Sequence, residues 1–471
     1  MRAMPWVIGV LGSLWALGAP CAGLPVPVLQ ALRAAVVPPE AMSVVVVAVP
    51  GAATPRLSHL PAVPRNPASV MKLVTSAAAL DLLGPGFVWT TPVYLGGAVQ
   101  DGVLRGDLFI RGQGDPKLVL ERLWLLLRQV RALGIHTVQG DIVLDHSAFE
   151  PGAQDPAAFD GEPLRPYNAA PDALLVNYKS LLLRFVPDTG RAQARVLVLP
   201  PLAGVQVPDW VSMAAGPCSD YRAALKADFS DPLRLRFLGA YPAACGEKTW
   251  PLAYADPARF AARALEALWA ELGGRLMGSV RDGSVPKGLQ AVFEWTSPSL
   301  GEVLRDMNKF SNNVMAEQLF LTLSWKAQGR GTPADARERL HHWWAQRLAG
   351  VEEPQWDNGS GLSRQGRITA QALASLLQMA FAAGWMPELM ASLPLAGVDG
   401  TLTYLAPRAR PYSAHLKTGS LQDVQALAGY LEAASGRRYV VVALINHAHA
   451  QATRAALAAL LDWVGADLSP P

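Results

Sequence analysis

The run Arg65-Asn66-Pro67-Ala68-Ser69-Val70-Met71-Lys72 sets a serine and a lysine three residues apart at the start of an apolar segment. Residues at that spacing share one face of a helix, so the Lys72 amine can reach the Ser69 hydroxyl. Asn66 suits an N-cap, and Pro67 suits the first helical position, because its missing N–H would have had no partner there. Ser69 is then expected in the first turn, where unpaired backbone N–H groups and the positive end of the helix dipole make its own amide an oxyanion donor. Val70, Leu73, Val74, Ala77 and Leu80 make the helix apolar and therefore buried. Burial disfavours a charged Lys72 and favours the neutral amine that accepts a serine proton, although a neighbouring carboxylate would oppose this. Read alone the tetrad is weak, since an ordinary helix whose lysine snorkels to water gives the same letters.

Two later segments strengthen it. Around Ser311 the chain reads Met307-Asn308-Lys309-Phe310-Ser311-Asn312-Asn313, and around Lys417 it reads Ala414-His415-Leu416-Lys417-Thr418-Gly419-Ser420. These supply S-x-N and K-T-G in the order in which they accompany S-x-x-K in penicillin-interacting serine enzymes. Each has a chemical task. The Ser311 hydroxyl can relay a proton toward a leaving amine, while Asn313 can orient Lys72 or hold a substrate amide. Lys417 brings positive charge, Gly419 permits close approach of a substrate backbone, and the Thr418 and Ser420 hydroxyls can take a carboxylate. The Ser420 amide is the natural second oxyanion donor opposite that of Ser69. Taken as ordinary structure, Ser311 to Asn313 would be an N-cap and Lys417 an exposed strand residue.

With these motifs the chain resembles the D-alanyl-D-alanine carboxypeptidase/endopeptidase family, the low-molecular-mass class C penicillin-binding proteins. The segments Gly106 to Pro116, Asp357 to Arg364 and Leu393 to Leu402 are similar to further signatures of that family. The resemblance implies a penicillin-recognising transpeptidase fold, like that of serine β-lactamases: a mixed α/β architecture whose antiparallel sheet is flanked by helices, with a large inserted α+β region. It also implies an acyl-enzyme on Ser69, peptidoglycan stem peptides as substrates, β-lactam antibiotics as acylating ligands, and no cofactor.

The interval from Ser69 to Ser311 is more than twice that from Ser311 to Lys417, so a long insertion is expected between the first two motifs. It is expected over 93–287, with the catalytic domain formed by 23–92 and 288–471. Within it, residues 91–95, 104–110, 136–144, 181–186, 194–199 and 233–237 read as strands, 117–133 as a helix, and 257–272 as a helix capped by Asp256. Outside it, 43–49, 413–421, 425–432 and 438–446 read as strands and 451–464 as a final helix. His341-His342-Trp343-Trp344 falls in a helix opened by Thr332 and Pro333 and closed by Gly350, and reads as a packing surface.

At 471 residues and 51% hydrophobic content the chain can build more than one core. A net charge of +3 over that length gives no reason to expect nucleic acid. Arg2, the apolar run from Pro5 to Leu17 and the small residues through Ala22 read as a secretory signal, 1–22, too short to span a bilayer. Export to the periplasm or cell envelope, with at most peripheral membrane association, follows. If Cys21 leaves with the signal, Cys218 and Cys245 remain as a pair suited to a disulfide in an oxidising compartment. No metal is expected, because neither cysteine has a ligand at zinc-site spacing and no H-E-x-x-H occurs. Asp160 and Glu162, before Pro166-Tyr167, are candidates for selecting the third residue of the stem peptide. Two alternatives share the motifs: a serine β-lactamase, which lacks so large an insertion, and a non-enzymatic β-lactam-binding sensor, which should carry an anchor or signalling segment. The sequence leaves the oligomeric state open.

Overall fold

The computed structural model describes residues 23–51, 54–150, 152, 154–405 and 412–469, and the expected signal at 1–22 lies outside them. A five-stranded antiparallel sheet is built from the two ends of the chain. Its order is Ser413–Leu421, Val424–Glu432, Arg438–Asn446, Met42–Val49, Leu57–His59. Five of the eight residues of Met42–Val49 are Val because both faces of the sheet are covered, and the pleat divides its side chains. Val45, Val47 and Val49 join a core with the helices Lys72–Leu83, Asn313–Gln328 and Ala370–Phe381. Met42, Val44 and Val46 join a second core with the helices Val26–Ala34 and Arg454–Gly465. Arg438–Asn446 splits in the same way, Val440, Val442 and Leu444 against Val441, Ala443 and Ile445.

The intervening chain forms its own core and sheets. One mixed sheet runs Val280–Asp282, Ile142–Asp145, Leu108–Arg111, Thr90–Leu95, Ala291–Thr296. Its first and last strands in sequence are neighbours, Thr90 opposite Thr296, so the chain leaves and returns at one place. A second sheet runs Tyr241–Pro242, Trp210–Ala214, Gln193–Leu199, Ser180–Asp188, Lys248–Ala253. The disulfide Cys218–Cys245 ties the connection before the short helix Tyr221–Leu225 to this sheet.

Several sequence expectations change locally. Residues 104–110 and 136–144 each form two short strands, Val103–Leu104 with Leu108–Arg111 and Thr137–Val138 with Ile142–Asp145. Asp107 causes part of this, since its carboxylate accepts the Asp141 N–H and turns both chains at the break. Of 233–237 only Arg236–Phe237 is strand. The helix expected from 117 begins at Leu120, because the Asp115 carboxylate binds the Lys117 N–H in a local turn. Asp256 makes no cap hydrogen bond, and the segment it precedes opens as the 3-10 turn Pro257–Arg259 before the helix Phe260–Glu271. The last helix likewise begins with a 3-10 turn, Ala450–Thr453. In Pro333–Arg347, Thr332 caps through Asp335 N–H, Trp343 and Trp344 are buried, and the two histidines face outward. No helix among the described residues is long and apolar enough to cross a membrane.

Candidate active site

The segment that carries Ser69 is tighter than an α-helical first turn. Residues Ala68–Met71 form a 3-10 turn and the α-helix starts only at Lys72. The Asn66 side-chain carbonyl accepts the Ala68 N–H at 2.8 Å, Pro67 sits at φ −87°, and Ala68 takes φ +47°. A left-handed alanine costs about 1 kcal/mol, so this turn is held by its surroundings. The holders are visible: Asn66 and Asn446 exchange N–H and carbonyl bonds at 2.7 and 2.9 Å, and the Asn66 amide donates to the Ser363 carbonyl at 2.8 Å. Among the described residues the Ser69 N–H has no acceptor within the protein, which leaves it open to an oxyanion.

Lys72 Nζ lies 3.0 Å from Ser69 Oγ and donates to Asn313 Oδ1 at 2.7 Å and the Ser360 carbonyl at 2.6 Å. The residue is fully buried. Burial, reinforced by repulsion from Lys417 and opposed by Glu317, holds the amine well below the usual lysine value. Lys417 is buried too, and burial brings it down to about 7. Its Nζ donates to Ser311 Oγ and to the Thr418 carbonyl, each at 2.8 Å. Asn312 is the cap of helix Asn313–Gln328, accepting the Met315 N–H at 3.0 Å. Ser311, at φ +56°, is turned out of the helix toward Lys417, and Asn313 on the first turn faces Lys72. The structure thus brings Ser69, Lys72, Ser311, Asn313 and Lys417 together.

Ser413–Leu421 is the edge strand of the central sheet. Its first half is covered, since Ala396 N–H binds the Ala414 carbonyl and Leu416 N–H binds the Pro394 carbonyl. Among the described residues no backbone group outside the sheet pairs with the edge from Lys417 to Leu421, which lies beside the turn that carries Ser69, an arrangement suited to an extended peptide laid against it. At Gly419 a Cβ would meet the Pro67 carbonyl at 2.3 Å and Ser69 N at 3.2 Å. The glycine makes room for the turn that carries Ser69. Thr418 Oγ1 is 2.7 Å from Thr401 Oγ1, and Ser420 Oγ accepts from Gln425 at 2.8 Å and Gln451 at 3.1 Å.

Glu317, one helical turn beyond Asn313, was not singled out from sequence, although the i, i+4 spacing is legible. It accepts from Ser360 Oγ at 3.0 Å, and the Ser360 carbonyl in turn accepts from Lys72. Burial raises its carboxyl to about 7 despite the opposing Ser360 bond and Lys72 charge. The Ser360 loop is shaped by Asn358, which accepts the Ser360 and Gly361 N–H groups at 3.0 Å. Asp160 is engaged within its own loop, by the Tyr167 hydroxyl and the Asn168 amide at 2.8 Å each, and Glu162 pairs with Arg165 at 3.4 Å. That loop docks on the site through Tyr167, whose carbonyl accepts from Asn313 Nδ2 at 3.1 Å. Cys218 and Cys245 are bonded to each other.

A sequence model of the family described as D-Ala-D-Ala carboxypeptidase 3 (S13) matches residues 29–465. A D-alanyl-D-alanine carboxypeptidase of Actinomadura sp. (strain R39) is 31% identical over 417 residues, covering 81% of this chain and 73% of the relative. The D-alanyl-D-alanine carboxypeptidase DacB of Haemophilus influenzae is 26% identical over 389 residues, 80% of each chain. The crystal structure of penicillin binding protein 4 (dacB) from Haemophilus influenzae superposes with a TM-score of 0.74 at 23% identity, over 94% of this chain and 99% of that one. A further structure of that protein holds a β-lactam, with a TM-score of 0.68, at 23% identity, over 91% of this chain and 96% of that one.

Proposed function

The chain belongs to the D-Ala-D-Ala carboxypeptidase 3 (S13) family and is a serine D,D-peptidase, and from that premise we propose that Ser69 is its nucleophile and the neutral Lys72 amine its general base. The observation that carries this reading is the 3.0 Å approach of the buried Lys72 amine to Ser69 Oγ. Lys72 takes the hydroxyl proton as Oγ attacks the carbonyl between two D-alanines, or the D-amino-acid bond of a cross-link. The Ser69 and Ser420 amides receive the oxyanion. As the C–N bond breaks, the leaving nitrogen takes a proton through Ser311, which Lys417 orients, and the acyl group stays on Oγ until water releases it. Lys417, Thr418 and Ser420 favour a substrate carboxylate at the open strand edge.

A β-lactam presents a strained amide next to a carboxylate, so it acylates Ser69 by the same steps and leaves slowly. A peptidoglycan substrate supports a periplasmic or envelope location, reached through the signal at 1–22, and in this reading residues 93–287 are an insertion in the catalytic domain. Release of D-alanine from a stem pentapeptide tests the assignment: the parent protein releases it and Ser69→Ala does not. Release by Ser69→Ala at the parent rate would remove it.

A further inference from the structure

We propose that a trough beginning at Ser311 receives the leaving strand of a cross-linked peptide and holds a carboxylate of that strand on Arg222 and Arg165. The inference rests on the D,D-peptidase reading above and adds a site to it. A cavity of about 490 Å³ runs from Ser311 and Asn313 to Arg165 and Arg222. A second, of about 700 Å³, is lined by the same two arginines and extends to Lys226 and Trp250. Spaces of this size suit ligands of several residues rather than a single amino acid. The wall near Ser311 is apolar and open: Phe310 is 70% exposed, Tyr167 41% and Leu182 40%. Exposed apolar side chains gathered beside a reaction centre mark a surface that something covers.

A cation at the far end that lacks a carboxylate partner among the described residues is Arg222, although Glu162 and Asp220 line the same cavity. The Arg222 guanidinium rests over the rings of Tyr221 and Trp250, 5.7 and 5.4 Å from their centroids, and its Nε donates to the Tyr221 hydroxyl at 3.3 Å. No carboxylate among the described residues pairs with it, and the nearby Asp220 carboxylate accepts the Arg222 and Ala223 N–H groups of the helix it caps. Stacking fixes the guanidinium plane and leaves its terminal nitrogens for a planar anion. Arg165 has only the half-exposed Glu162, a weak pair. The disulfide at Cys218 anchors the chain four residues before Arg222.

The side of the scissile bond follows from the proton path. When the amide C–N bond breaks, the acyl carbon stays on Ser69 and the nitrogen receives its proton at Ser311. The rest of the amine-bearing molecule therefore extends from Ser311, where the trough starts. In this arrangement a leaving D-alanine occupies the Ser311 end of the trough, whereas the second strand of a cross-link extends along it to Arg222.

The test compares kcat/KM for release of D-alanine from a single pentapeptide with kcat/KM for cleavage of a D,D-cross-linked dimer. Arg222→Ala is expected to lower the dimer value about tenfold more than the pentapeptide value, and Arg222→Lys to recover part of the difference. Equal loss on both substrates, a loss confined to the pentapeptide, or no loss on either overturns the proposal. If Arg222→Ala no longer takes up penicillin, and so has not folded, the solvent-exposed Arg165→Ala carries the same comparison. A parent enzyme that releases D-alanine but does not cut the dimer also overturns it while leaving the peptidase reading intact. A parent that does neither removes that reading as well.

Discussion

The Lys72 amine and the Asn313 side-chain carbonyl meet at 2.7 Å across 241 positions of chain. That bond joins the Lys72 helix to helix Asn313–Gln328, which Ser311 precedes, and with Ser69 and the Ser360 carbonyl it gives the buried nitrogen three oxygen neighbours. Lys72→Met keeps the apolar stem and removes the amine, leaving Asn313 without its donor. Steady-state and stopped-flow measurements are expected to show both peptide turnover and penicillin acylation slowed by about a thousandfold, with the circular dichroism spectrum unchanged. A loss below tenfold would assign the base elsewhere.

Glu317 supplies the carboxylate that raises the Lys72 pKa against burial. Glu317→Gln removes that charge and keeps an oxygen for the Ser360 hydroxyl. Without the anion the ammonium is less favoured, Lys72 loses its proton at lower pH, and the rising limb of kcat/KM against pH moves to lower pH. An unmoved limb would show that the limb reports another group.

The two glycines nearest the nucleophile turn are predicted to be irreplaceable. In Gly419→Ala the new methyl meets the Pro67 carbonyl at 2.3 Å and displaces the oxyanion amide of Ser69, so kcat falls by about a hundredfold or more. In Gly361→Ala it meets the Ala68 carbonyl at 2.0 Å at a backbone with φ +76°, so stability falls as well. Urea titration beside the kinetic assay separates the two effects.

How much of this was legible in the letters differs by residue. Ser413–Leu421 and Arg438–Asn446 are legible to their ends, because a turn bounds each strand and, in the second, alternate residues serve different cores. The three motifs came together because each supplies side-chain chemistry that sequence displays. The Ser360 carbonyl beside Lys72 was not legible, since every residue has a carbonyl and only the fold aims it. Nor was the left-handed Ala68, whose conformation is imposed by Asn66, Asn446 and the neighbouring strand. In the intervening region, breaks such as that at Asp107 depend on a carboxylate reaching a distant amide.

Asp172 links that region to the catalytic helix. It pairs with His146, and with Lys179 at 2.9 Å, and its N–H binds Gln318 Oε1 at 2.7 Å. Despite desolvation by burial, these partners hold its carboxyl well below the usual carboxylate range, and Asp172 and Asp282 raise His146 against its own burial. The Asp172 contribution is present above the unfolded carboxylate pKa and lost as pH falls through its lowered value. The His146 contribution is present below the unfolded imidazole pKa and lost as pH rises through its raised value. Asp172→Asn should therefore destabilise by about 3 kcal/mol, with the largest difference in thermal midpoint between about pH 5 and 6, narrowing as pH rises through the raised His146 value. A difference that goes on growing above about pH 6 would contradict the pairing.

The central claim is that one hydroxyl, Ser69, carries the acyl group. Intact-mass measurement after incubation with benzylpenicillin, on the parent and on Ser69→Ala, tests it directly. The account predicts a single added penicilloyl mass on the parent, located by peptide mapping to the segment containing Ser69, and none on the variant. An adduct on Ser69→Ala, or one mapping to another residue in the parent, would contradict it.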